Sequence, residues 1–252
     1  MQVTNNLTYF QMKKKAQNKG EIYIYGDIVS TKWDDSGVTA IDFKKELDSL
    51  GNVNEIDVHI NSAGGNVFEG HVIYNMLKTH KAKINVYVDA LAASIASVIA
   101  MSGDTIFMHK NSFLMIHNSW IITMGNSKEL RETADLLDKT DASSNHAYLD
   151  KATNISEEEL KQLLEAETWL TADEALEKGF IDEILGANQT VASISQENAQ
   201  RFKTVPDDIK KDIVSKGNVE NIEIPLKNIS EEEMFQRKTI KSKAKNINLL
   251  YK

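Results

Sequence analysis

The chain has 252 residues, 41% of them hydrophobic and 26% charged, and a formal net charge of −8, the balance of an ordinary globular protein of one or two domains. It has no cysteine, which excludes disulfides, thiolate metal sites, iron–sulfur clusters and a thiol nucleophile. No HExxH motif replaces them, and no stretch reaches the roughly 20 apolar residues of a membrane span.

Residues 1–20 hold four lysines and no acid and read as a basic arm. Lys13, Lys14 and Lys15 follow the early apolar residues, which is the wrong order for a signal peptide. EIYIYGDI, from Glu21, alternates with period two and predicts a strand. Ser36, three residues before Thr39, opens a predicted helix over VTAIDFKKELDSL, with Val38, Ile41, Leu47 and Leu50 near one face and Gly51 as its stop. EIDVHI predicts a second strand. NVFEGHVIYNMLKTH follows as a helix, with Val67, Ile73, Tyr74 and Leu77 in a stripe.

KINVYVD is a third predicted strand. ALAASIASVIAMSG is small and apolar from Ala90 to Ala100 and reads as a buried helix ended by Gly103. Short strands at TIFM and SFLMI precede a long polar helix from Ser127 towards Thr153, carried by Leu130, Ala134, Leu137, Asp138 and Ala142. Ser156 with Glu159, and Thr171 with Glu174, have the spacing of capping boxes; the second leads into the strand FIDEIL. Strands alternating with helices over residues 21–185 imply an α/β fold with a mainly parallel sheet. From Gly186 the periodicity fades, and residues 187–252 read as a C-terminal extension, partly helical or flexible.

Three places interrupt this pattern, and each offers part of an acyl-transfer apparatus. INSAGGN joins a strand to a helix through two glycines, which can turn the backbone and aim free N–H groups at an anion. It is also an ordinary form of turn. In AASIAS, Ser94 stands near a helix start, where the N–H of Ile95 lacks an intrahelical partner; close helix packing would equally select such small residues. His117 ends the strand before MIHNS turns, where a neutral imidazole can accept a serine proton. His59 and His109 also lie on or beside strands, so position alone does not single out His117. An acidic body without an aromatic-interleaved basic stripe argues against nucleic acid.

Taken in order, INSAGG, AAS at Ser94, MIH at His117 and ETWLTADEALEKGFID resemble the ClpP family of serine peptidases, from Glu21 to Leu185. The resemblance implies a ClpP/crotonase-like fold of repeated β-α-β units over residues 21–186. It also implies Ser94 as nucleophile, His117 as general base, and the backbone N–H groups of Gly65 and Ile95 as oxyanion hole, with no metal and no cofactor. Glu167 falls where the family usually has the aspartate of the triad, with Glu165 and Asp173 as competitors; a glutamate can serve, since the third group orients and stabilises the imidazolium. Ala63 and Ala96 depart from the proline and glycine often found there.

The family resemblance further implies a cytoplasmic, ring-shaped homo-oligomer acting on protein or peptide substrates, assembled through the long helix and the loop around Asn118 to Gly125. EIYIYGDI, INSAGGNVFEG, ETWLTADEALEKGF and the C-terminal extension look most like the phage or prophage head-maturation branch. Such an enzyme needs no ATPase, acts in the host cell or within a procapsid, and trims scaffold, portal or capsid proteins. The alternatives are the proteolytic subunit of an ATP-dependent Clp protease, a crotonase-type acyl-CoA enzyme, and an inactive scaffold protein. Residues 1–20 and the acid-free stretch 236–252 are basic, so both ends are expected to meet an acidic scaffold or neighbouring subunits.

Overall fold

A computed structural model describes residues 10–15, 18–32, 37–187, 196–207 and 209, all within the unit Met1–Ser215. In chain order the elements are β1 (Phe10–Lys15), β2 (Lys19–Ile24), β3 (Asp27–Ile28), β4 (Gly37–Val38), α1 (Ala40–Ser49), β5 (Glu55–Ser62), α2 (Val67–Lys78), β6 (Lys83–Ala93) and α3 (Ile95–Ala100). They continue with β7 (Thr105–His109), β8 (Phe113–Ile116), α4 (Ser127–Leu149), α5 (Glu157–Glu165), β9 (Thr168–Thr171), α6 (Ala172–Glu177), β10 (Glu183–Leu185) and α7 (Gln196–Ala199).

The main sheet runs β1-β2-β5-β6-β7-β10. Strands β2, β5, β6, β7 and β10 pair in parallel, as expected of strands joined by helical crossovers. Strand β6 is central and buried over nearly its whole length, which explains its near-continuous apolar run. Its first half pairs with β7 through Asn85 to Val88, and its last residues, Leu91 to Ala93, pair with β8. This fork opens the sheet where β6 ends. The small parallel pair β3 and β4 lies apart, and Ile28 of β3 bridges to Gly65.

Four expectations are corrected. Within the proposed arm, Phe10–Lys15 is a strand, antiparallel to β2, at the end of the strand order of the sheet. Asn18 takes φ 64 between the two strands, a left-handed conformation that asparagine accepts more readily than most residues. Helix α1 begins later than its apolar spacing suggested. Val38 belongs to β4, Thr39 is the N-cap, and Ile41 is 69% exposed while Ala40, Phe43 and Leu47 face the core. Ser36 lies outside the described residues.

Ala90–Ala93 are strand rather than helix, because the backbone of Leu91, Ala92 and Ala93 pairs with β8. Helix α4 is confirmed as long, and Asn126 with Glu129 forms a full capping box. It nevertheless buries only Ala147 and Tyr148, and the face carried by Leu130, Ala134, Asp138 and Ala142 is exposed. Thr171 with Glu174 completes the predicted box at α6, and Ser156 accepts from the Glu159 N–H at α5. In the C-terminal extension, Phe202 and Ile209 are buried against Leu91, Ala93 and Met115. The basic stretch 236–252 lies outside the described residues.

Candidate active site

The fork in the sheet sets the site. Ala93, the last residue of β6, pairs with Met115 of β8, and the Ser94 N–H donates to the Met115 carbonyl at 2.9 Å. On its other side β8 pairs antiparallel with β9, Ile116 opposite Thr168. The next residue along β8 is His117, and the residue just before β9 is Glu167. Ser94, His117 and Glu167 therefore project from three adjacent strand ends, brought level by backbone register.

Ser94 Oγ lies 2.7 Å from His117 Nε2. Ser94 holds φ 55, ψ −131 as the N-cap of α3. A non-glycine residue in this region is strained, and at a strand-to-helix turn the strain presents the hydroxyl at the surface of the site. His117 Nδ1 lies 3.8 Å from Glu167 Oε2, an electrostatic approach rather than a hydrogen bond. The His117 and Glu167 side chains are only 8% and 6% exposed. Burial holds the His117 imidazole below its ordinary pKa; the Glu167 and Asp141 carboxylates oppose that shift, and Lys203 adds to it.

The Gly-Gly turn is held beside Ser94 by β3. The Ile28 N–H donates to the Gly64 carbonyl and the Asn66 N–H to the Ile28 carbonyl, both at 2.8 Å. Ser62 Oγ donates to the Gly26 carbonyl at 2.6 Å and accepts the Gly64 N–H at 3.1 Å. Gly65 takes φ 142, and a Cβ there would stand 2.1 Å from the Ile28 carbonyl oxygen. Only glycine allows this approach. Among the described residues no acceptor engages the N–H of Gly65 or of Ile95, so both donors are available to a substrate oxygen.

These groups open on a cleft of about 590 Å³ lined by Gly65, Ser94, His117, Trp120, Tyr148 and Phe202 among others. Of the competing acids, Glu165 is exposed and lines a separate, smaller pocket, and Asp173 is exposed in the first turn of α6; neither approaches His117 as Glu167 does. His59 and His109 face Asp89 instead, at 2.9 and 3.7 Å. No cluster of three or more potential metal ligands occurs among the described residues, and no described helix is long and apolar enough to cross a membrane.

Two sets of residues escaped the sequence reading. Ser97 Oγ donates to the Ser94 carbonyl at 2.5 Å and lies 2.6 Å from the Tyr148 hydroxyl, tying the Ser94 turn to α4. The segment from Gln196 to Ile209 reaches the site through Arg201, Phe202 and Thr204. No periodic pattern marked either set.

A family model described as Clp protease matches residues 7–188. The ATP-dependent Clp protease proteolytic subunit of Deinococcus radiodurans is 31% identical over 141 residues, covering 55% of this chain and 69% of its own length. The protein of the same name from Streptococcus salivarius is 33% identical over 147 residues, covering 57% of this chain and 74% of its own. That from Streptococcus pneumoniae is 33% identical over 146 residues, covering 56% and 74%.

Proposed function

The chain belongs to the Clp protease family, and on that premise we propose that it is a serine endopeptidase with Ser94 as nucleophile, His117 as general base and Glu167 as the orienting acid. The observation that carries this reading is the 2.7 Å approach of Ser94 Oγ to His117 Nε2 at the mouth of the cleft. Neutral His117 takes the Ser94 proton as Oγ attacks a peptide carbonyl, and the Gly65 and Ile95 N–H groups receive the developing oxyanion. His117 then protonates the leaving amine, and water, activated by the same imidazole, releases the acyl group. Glu167 favours the imidazolium that forms between these steps. Hydrolysis of a fluorogenic peptide and labelling by a fluorophosphonate, both lost in Ser94→Ala, are the expected result; a mutant that is labelled and active overturns the assignment.

The domain plan follows: a peptidase domain over residues 21–186, extended on its N-terminal side by β1, and a C-terminal extension from 187 that contributes to the site. Assembly into a ring-shaped homo-oligomer agrees with the exposed apolar residues Trp120, Ile121, Ile122 and Met124 after β8 and Leu130 and Leu136 on α4.

The named relatives are proteolytic subunits of ATP-dependent proteases. Their names favour a subunit working with an ATP-driven unfoldase over the head-maturation role, which rests on the wording of EIYIYGDI, INSAGGNVFEG and ETWLTADEALEKGF and on the extension. Incubating wild type and Ser94→Ala with a folded substrate protein, with and without an unfoldase and ATP, separates the two. Cleavage only with both additions supports the first role. Cleavage of scaffold, portal or capsid protein without ATP supports the second.

A further inference from the structure

Residues 196–207 and 209 follow the stretch matched by the family model, yet they reach the site. Asn198 Nδ2 donates to Asp27 Oδ1 at 2.8 Å, and Arg201 Nη2 stands 3.5 Å from Asp27 Oδ2, tying the segment to β3 beside Gly65. Phe202 turns its ring edgewise to His117 at 5.8 Å and to Trp169 at 5.5 Å. Ile209 is buried against Leu91, Ala93 and Met115. Between these anchors Thr204 meets Glu167. Its N–H donates to Glu167 Oε1 at 2.7 Å, and its hydroxyl lies 3.2 Å from that same oxygen and 3.2 Å from the Glu167 carbonyl oxygen.

We propose that Thr204 is a positioning residue: it fixes Oε1 of Glu167, so that Oε2 faces Nδ1 of His117, and the segment after the family domain thereby completes the catalytic site. A glutamate side chain has three rotatable bonds, and ordering it has an entropic cost unless an anchor selects one rotamer. The Thr204 N–H, with the single hydroxyl proton shared between Oε1 and the Glu167 carbonyl oxygen, supplies that anchor, and bonds to an ionised acceptor are the stronger kind. The inference rests on the proposed roles of Ser94, His117 and Glu167. The charged groups around this contact are His117 at the end of β8, Glu165 at the end of α5, Asp141 on α4, and Arg201 and Lys203 on the segment itself.

The test uses the full chain with Thr204→Val, which loses the hydroxyl, Thr204→Ser, which keeps it, and Glu167→Gln as reference. Thr204→Val is expected to lower kcat about tenfold with KM unchanged, the scale of one hydrogen bond to a charged group. The acid limb of its kcat/KM profile shifts to lower pH, in the same direction as in Glu167→Gln, because the imidazolium loses part of its neighbouring charge. Thr204→Ser restores most of the activity. Wild-type kcat and pH profile in Thr204→Val, a change confined to KM, or a rise in kcat overturns the proposal. If Thr204→Val does not fold, Thr204→Ala is judged by the same criteria. A Glu167→Gln enzyme with unchanged kcat and profile defeats the role of Glu167 itself, whereas a crippled Glu167→Gln beside an unaffected Thr204→Val defeats only the role of Thr204.

Discussion

The hydroxyl of Tyr148, buried in the last turn of α4, lies 2.6 Å from the hydroxyl of Ser97 in α3. Ser97 donates its own proton to the Ser94 carbonyl, so the phenol is the donor in this pair, and burial keeps its pKa well above the ordinary tyrosine value. The chain from Tyr148 through Ser97 to Ser94 braces the strained turn that carries the proposed nucleophile. Tyr148→Phe removes one buried donor while keeping the ring. It is expected to reduce stability by about 1 kcal/mol, seen as a fall in Tm of roughly 2–4 °C. Peptidase turnover should fall by less than tenfold, since no catalytic proton passes through the bond; an unchanged Tm in calorimetry refutes the bracing role.

The partly buried imidazoles set a pH dependence whose sign is fixed by desolvation. Burial lowers the pKa of both His117 and His71 from 6.5. As pH falls through about 6.5, the unfolded chain takes up protons at these positions while the folded chain does not, so stability present above that value declines towards the lower folded pKa values. Urea titrations at pH 7.5 and pH 5.8 should show this loss in wild type and a smaller one in His71→Gln. The proposed general-base role requires neutral His117, so the acid half-point of kcat/KM is expected below 6.5. A half-point above it contradicts the burial argument.

Gly65 tests the oxyanion assignment. Its φ of 142 and the 2.1 Å approach of a built Cβ to the Ile28 carbonyl oxygen leave no room for a side chain. Gly65→Ala must displace either β3 or the turn, moving the N–H that faces the cleft. A loss of about 10²–10³ in kcat is expected, the size associated with one oxyanion donor, together with a lower Tm. Near-wild-type turnover in a folded Gly65→Ala places the oxyanion elsewhere.

What could be read from the sequence followed how local each signal was. Ser94, His117 and the Gly64–Gly65 turn stand at junctions between elements, where turn chemistry marks them, and the order of these junctions carried the family resemblance. The spacing around Ile41 misled because Thr39 caps the helix through its side chain at the Asp42 N–H, 3.1 Å away, and so starts α1 later than the apolar pattern suggested. Ala90–Ala93 look helical in isolation, since alanine favours helices. Pairing with Leu114 and Met115 overrides that preference, and such pairing is invisible without the partner strand. Thr204 was beyond reach for the same reason: its partner Glu167 lies 37 residues earlier, and a single threonine carries no periodicity.

The loop after β8 exposes a run of large apolar side chains. Ile122 is 85% exposed and Met124 74% exposed, with Trp120 and Ile121 about half exposed beside them. Burying such side chains against another subunit gains about 1.5–3 kcal/mol each, whereas a carboxylate placed in an apolar contact without a partner carries a desolvation cost of about the same size or more. Ile122→Asp is therefore expected to raise the subunit dissociation constant by more than about 10²-fold. Ile122 takes no part in the buried core of the single chain, so the midpoint of unfolding for the dissociated subunit should stay near that of wild type at equal assembly. Sedimentation velocity across a dilution series measures the first effect, and peptide turnover falls with it if neighbouring subunits hold the loop and α4 in place. Unchanged sedimentation of Ile122→Asp removes this loop from the assembly interface.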